Sequence, residues 1–430
     1  MTATSHLAIK KPEASESKRI QLTSPILHIG SEVSRLNPFE YVQTSKRVYL
    51  PDREALAKML HQRGRLDDYI RAIEEQKSIT KLLEDVLGEQ WWNATGKNGD
   101  RIFPEIAVSH KWTENSVTDL RPMIRNGMGQ LYIPGSSIKG AIRTAIAYHL
   151  LKHENKYQLP ESASLSVIEI QLREKLGRGE FANQNKYKQK FLDNELFMDS
   201  LFTDFELSYQ GRSVKSKIGP NTDFMRAIKV TDSQPLLEFK RVTKQGKNVF
   251  FNLPIVAEVI VSSRFPDYKA KYRASIYTEM VRNVQTEFTL SLDTEMLKWF
   301  THNEGMKIPF KNLDELLIIC QEFAQEQWDA EHDYWDDIEN NRYQGKDLNF
   351  SYIQELYEPT DCPYSLRVGW ASGMLGTTIA LCLDDRLTAE IRDTCGIKAP
   401  GFEAPKSRRT VVAADGNIKY VPGWVKFKPC

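Results

Sequence analysis

At 430 residues, with 41% hydrophobic and 27% charged side chains, the chain has the length and apolar content for two or three domains of roughly 150 residues each. No run approaches the roughly 18 apolar residues of a membrane helix, and the opening "MTATSHLAIKKPEASESKR" has no apolar stretch of the secretory kind. These features argue against a membrane partner and predict a cytoplasmic protein with a loose tail over residues 1–18.

The five cysteines (Cys320, Cys362, Cys382, Cys395, Cys430) are scattered, without CxxC or metal spacing, which predicts reduced structural thiols, no metal and no cofactor. A net charge of +1 conceals a segregation. Gln210 to Asn248 holds nine Lys or Arg against three acids, whereas Glu322 to Glu339 holds eight acids and no Lys or Arg. Opposite patches on one chain suit two partners, one of them a polyanion; two solvated faces are the plainer alternative.

In chain order, "RIQLTSPILHIG" reads as the first strand, its Pro25 suiting an edge or a bulge. "VYLPDREALAKMLHQRG" predicts a strand end and then a helix, started by Pro51 and Asp52 and stopped by Gly64; more helix runs through "DDYIRAIEEQKSITKLLEDVLGEQWW". "LYIPG" reads as a strand leading into a helix from Ser136 to about His153, on which Ile138, Ala141, Ile142, Ala145, Ile146 and Leu150 form one apolar stripe. Residues 160–200 look helical and charged.

"MRAIKVTDS" and "NVFFNLPIVAEVIVSSRF" read as strands, with a "KQGKN" turn ahead of the second, and the stretch from about Leu290 to Gly345 reads as helical and increasingly acidic. "YSLRVGWASGMLGTTIALCL" repeats the order of strand, glycine turn and helix start, and "SRRTVVAADGNIKYVPGWVKFKP" reads as a hairpin with an Asp-Gly turn. The repeated unit predicts an α+β protein of two related halves with helical insertions.

The densest motif is "YIPGSSIKGAIRTAI". Gly135 and Gly140 have P-loop spacing, but Lys139 precedes the second glycine and Ala141-Ile142 stand where a lysine and a metal-binding hydroxyl are required, which argues against an ATP site. A nucleic-acid backbone suits the motif better. Gly135 allows close approach, Ser136 and Ser137 cap a helix whose free N–H groups attract an anion, and Lys139 and Arg143 lie four apart on one face. A capped helix with two solvated cations is the equal alternative.

His28 in "LHIGS" has the intrinsic pKa of a general base for RNA cleavage, although a lone His beside a strand-ending Gly is more often structural. His149 and His153, four apart without an evident third ligand, read as surface residues. Arg226 and Lys229 beside Asp223 and Asp232 read as ion pairs before acid catalysts. Lys406, Arg408 and Arg409 in "APKSRRTVV" form either a phosphate contact or a charged strand edge.

Taken together and in this order, "SPILHIGS", "YIPGSSIKGAIRTAI", "MRAIKVTDS", "RVGWASGMLG" and "PKSRRTVV…PGWVKF" resemble the RAMP superfamily of CRISPR-associated proteins, most nearly the subunits that cap the 3′ end of the guide RNA in type III-A Csm complexes. Segments near 55–95, 155–195 and 310–345 carry little of the resemblance. It implies two ferredoxin-like, RRM-related RAMP domains with glycine-rich loops, over 19–265 and 266–430, the second with an acidic helical insertion near 310–345.

The resemblance further implies RNA-backbone contact by Ser136, Ser137, Lys139 and Arg143 and, in the second glycine loop, by Arg367, Gly369 and Gly373. His28, Gly30, Ser31, Gly135, Arg226, Lys229, Lys406, Arg408 and Arg409 complete the RNA-binding candidates. The implied partners are crRNA, target RNA, neighbouring Csm backbone and small subunits, and host trimming nucleases. RAMP subunits that slice target RNA carry an aspartate on the loop after "HIG"; here "GSEVSRLNPFEYVQTSKR" offers Glu32 and Glu40 but no Asp. A non-catalytic role in crRNA maturation and complex assembly is therefore expected. The alternative is a metal-independent RAMP endoribonuclease that processes precursor crRNA with His28 as general base.

Overall fold

The computed structural model describes residues 14–96, 99–183, 194–209, 211–214, 218–242, 248–394 and 401–430; residues 1–13 of the expected tail, most of the "KQGKN" turn, and Cys395 lie outside the described residues. The spine is a strand of 24 residues, Ala270–Asp293. Its first half pairs antiparallel with Leu253–Arg264, and its second half with Ser15–Leu27. These belong to a 12-stranded mixed sheet, continued beyond the first strand by Trp424–Pro429 and Leu366–Arg367, and beyond Leu253–Arg264 by Val108–Lys111. Because the central hairpin runs across residue 265, both sides of that position share one sheet.

Several predicted elements appear with shifted bounds. The first strand starts at Ser15, inside the expected tail, and pairs with the C-terminal strand only over residues 20–23, so Pro25 sits where that edge needs no donor. Asp52 accepts the Ala55 N–H to open the helix Arg53–Gln62, and Gly64 closes it at φ +69°. Arg408–Val412 and Ile418–Tyr420 form the predicted Asp-Gly hairpin. "LYIPG" is not a regular strand; its Ile133 N–H donates to Ser233 Oγ and its carbonyl accepts from Ser233 N–H. Leu290 to Asp293, read as helix, end the long strand, because Leu290 and Leu292 alternate into the core beside Ile20 and Leu22.

The helix Gly135–Lys152 lays its predicted stripe on that apolar face. Over it packs the acidic helix Leu313–Asp336, started by Asn312, whose side chain accepts the Glu315 N–H. Its acids hide a second stripe: Leu313, Leu316, Ile319, Cys320 and Phe323 are buried in the same core as the Gly135 helix, and Trp328, Tyr334 and Trp335 in another with Tyr357 and Trp424. The segment expected as a solvated insertion is thus part of the core.

One of its acids is inside as well. Glu331 is 2% exposed and accepts from Arg367 Nη1 and Arg408 Nε, each at 3.0 Å, and from Trp335 Nε1 at 3.0 Å. Burial alone raises a carboxylate's pKa, but here the Arg408 and Arg367 charges outweigh it and hold Glu331 below the usual range. The stabilisation this implies is present above the ordinary carboxylate pKa and is lost as acid titrates Glu331 through its lowered folded value. Removing the charge leaves two buried guanidiniums unanswered, so Glu331→Gln is expected to lower unfolding free energy by about 3–5 kcal/mol in urea titrations at neutral pH. A loss under about 1 kcal/mol contradicts this account of the clamp.

Candidate nucleic-acid interface

The opening motif is docked on the chain itself. A Cβ on Gly135 would lie 2.3 Å from the Val230 carbonyl oxygen, so the helix start rests against the strand Ile228–Val230. The Gly135 N–H donates to Asp232 Oδ1 at 2.8 Å, and neither Ser136 nor Ser137 caps the helix. Lys139 Nζ donates to the Ile228 carbonyl at 2.8 Å, and Arg143 pairs with Asp223 at 2.6 Å while lying 3.9 Å over the Phe202 ring. The motifs "GSSIKGAIR" and "MRAIKVTDS" therefore hold each other, and both cations are answered internally. Ser136 and Gly140 stay exposed and Ser137 half-buried; Lys229 is exposed, as is Arg226, which donates to the Asn221 carbonyl at 2.8 Å.

His28 is 3% exposed and its Nδ1 donates to the Glu279 carbonyl at 2.6 Å. Burial pulls its pKa down to about 4, which leaves a neutral, enclosed ring and gives no support to a general base acting on RNA. Gly30 is exposed, and the Ser31 hydroxyl turns back to the Val33 carbonyl. Arg367 and Arg408 lie in the Glu331 clamp, away from solvent, and Lys406 is half-buried over Phe402. His149, expected at the surface, is buried, and with half-buried His153 it faces Glu322 of the acidic helix.

The second glycine turn assembles a different surface. Gly369 has φ +92°, and a Cβ there would lie 2.3 Å from the His28 carbonyl oxygen; Trp370 N–H donates to that oxygen at 3.1 Å. "LHIG" and "RVGW" are thereby locked together, with the His28 ring edge-on to Trp370 at 5.5 Å. The guanidiniums of Arg121 and Arg409 lie 5.3 and 4.8 Å from the Trp370 ring, and that of Arg282 lies 5.2 Å from Trp112 and 5.9 Å from Tyr420.

These residues come from different strands. Arg121 sits opposite Thr278, Arg282 opposite Leu253, and Arg409 opposite Val261. Trp112, Trp370 and Tyr420 pack on Ile255, Ala257, Val259 and Met280.

Among the described residues no carboxylate pairs with Arg121, Arg282 or Arg409, and the Nε atom of each is buried without a hydrogen-bond partner. The Arg409 pKa is lowered, first by burial and then by repulsion from Arg121 and Arg367. These cations lie against aromatic rings with no carboxylate beside them among the described residues, so their positive charge is left uncompensated on this face. Of this group the sequence reading named only Arg409. Arg121, Arg282 and Trp112 are isolated in sequence, and only strand pairing brings them to one face.

The RAMP superfamily model matches residues 19–353, and the chain belongs to that superfamily. It is 24% identical over 166 residues to the CRISPR system protein Csm5 of Enterococcus italicus, a match covering 35% of this chain and 47% of that protein, so the chain spans about half the length of this curated relative. Its fold is similar to a chain in the cryo-EM structure of a Csm–crRNA–target RNA ternary complex of a type III-A CRISPR-Cas system, with TM-score 0.57 and 22% identity over 96% of this chain and 100% of that one. It is also similar to the crystal structure of T. onnurineus Csm5, with TM-score 0.52 and 19% identity over 95% of this chain and 100% of that one.

Gly369→Ala is expected to cost about 1–3 kcal/mol in thermal or urea unfolding, because the added methyl must push His28 away and the backbone must hold a positive φ. Unchanged stability would contradict the docking of the two motifs.

Proposed function

We propose that this chain is a non-catalytic RNA-binding subunit of a type III-A CRISPR (Csm) effector that caps the 3′ end of the crRNA and supports crRNA maturation and complex assembly. One observation carries the proposal: three arginines without acidic partners, gathered over Trp370, Trp112 and Tyr420 on one sheet face. Guanidiniums grip phosphates and the aromatic rings stack bases, a combination that holds a strand without reading its sequence, as a guide-binding subunit requires.

In this role the partners are the crRNA, the target RNA, neighbouring Csm subunits and trimming nucleases, and the protein works in the cytoplasm. On this reading the two ferredoxin-like RAMP domains are 19–265, with the Gly135 helix, and 266–430, with the Gly369 turn, and they share one sheet. The likeness to Csm5 and to a chain of a crRNA-bound complex supports this placement. The buried ring of His28 supports a scaffold over a nuclease.

The test is binding of a labelled, guide-length single-stranded RNA across a salt series, with and without EDTA. Intact RNA and steep salt dependence are expected. Replacing Arg121, Arg282 and Arg409 with Ala together should weaken binding at least about tenfold and flatten the salt slope by about 2, at roughly 0.7 per phosphate contact on a single strand. Unchanged affinity and slope would overturn the proposal, as would metal-independent cleavage that stops in His28→Ala.

A further inference from the structure

We infer that His149, His153 and Glu322 form a zinc-binding site that ties the Gly135 helix to the acidic helix. The two histidines lie one helical turn apart, with ring centroids 4.6 Å apart, and Glu322 faces them from the neighbouring helix. Glu322 Oε1 is 2.7 Å from His153 Nε2, its Oε2 contacts His149 Nδ1, and the ligating atoms of all three residues lie within 4.8 Å of one another. Two imidazole nitrogens and a carboxylate are a donor set for Zn²⁺, with a fourth position left for water or a partner's side chain. Bonds of about 2.0–2.2 Å hold tetrahedral ligands roughly 3.3–3.5 Å apart, so Glu322 Oε1 and His153 Nε2 must part from 2.7 Å, and any ligand pair as far as 4.8 Å apart must close in.

The surroundings fit a metal. The far nitrogen of His149, Nε2, lies 2.8 Å from Tyr157 Oη, the kind of outer hydrogen bond that fixes a ligating ring and its tautomer. Lys152 Nζ stands 3.7 Å from Glu322 but also pairs with Glu326, so its charge keeps a partner when Glu322 turns to a cation. The site is independent of the arginine face.

The test uses full-length protein stripped with a chelator and titrated with Co²⁺, then with competing Zn²⁺. One Co²⁺ per chain is expected, with the visible d–d band of tetrahedral nitrogen and oxygen ligation, displaced by Zn²⁺, and Zn²⁺ should raise the melting temperature. His153→Ala and Glu322→Gln should each lower Zn²⁺ affinity more than about tenfold and remove the thermal shift. Absence of cobalt binding by the wild-type protein, or undiminished zinc affinity in both folded variants, overturns the site. Should either variant fail to fold, the wild-type spectrum and stoichiometry still decide.

Discussion

The arrangement of this molecule depends on one buried carboxylate. Glu331 takes hydrogen bonds from Arg367 and Arg408 at the heart of the fold, and Arg367 also reaches the carbonyls of Ala371 and Pro422. That single acid thereby ties the acidic helix to the strand Arg408–Val412 and to the start of the second glycine turn. The turn in turn rests on the His28 carbonyl, and it carries the Trp370 ring to 5.3 and 4.8 Å from the Arg121 and Arg409 guanidiniums. A charge buried this deeply is tolerable only because both neighbours are cationic and well aligned, and the same alignment fixes where the half-buried Trp370 ring stands.

Seven cations of the glycine motifs and the sheet face fall into two groups. Lys139, Arg143, Arg367 and Arg408 bond to carbonyls or carboxylates of the chain and act as internal fasteners. Arg121, Arg282 and Arg409 have aromatic partners but no acid among the described residues. A cation on a ring gains about 0.5–2 kcal/mol, which positions a guanidinium but does not neutralise it. Residues of the same type therefore play opposite parts, and the charge of the second group is left uncompensated among the described residues.

Much of the fold was legible in sequence because it rests on local periodicity. The stripe on the Gly135 helix, the Asp52 and Gly64 signals and the Asp-Gly hairpin all lie within short windows. The 24-residue strand was not legible, because its long polar and aromatic stretch carries no turn signal at the point where its partner changes. The eight acids of Glu322 to Glu339 hid an apolar stripe three and four residues apart, and hid Glu331 among solvated neighbours.

At the site, the glycines were readable as points of close approach, but the sequence does not say what approaches. At Gly135 it is Val230, and at Gly369 it is His28. Nor was Glu322 visible as a third partner for His149 and His153, since it lies 169 residues beyond the nearer histidine and only helix packing joins them.

The most direct measurement of the central claim is photo-crosslinking of a guide-length RNA carrying 4-thiouridine, followed by mass spectrometry of the peptide adducts. The account predicts adducts concentrated on peptides containing Trp370, Trp112 and Tyr420. Adducts confined to residues 136–143, with none on those aromatic peptides, would contradict it and return the RNA to the opening glycine–serine helix.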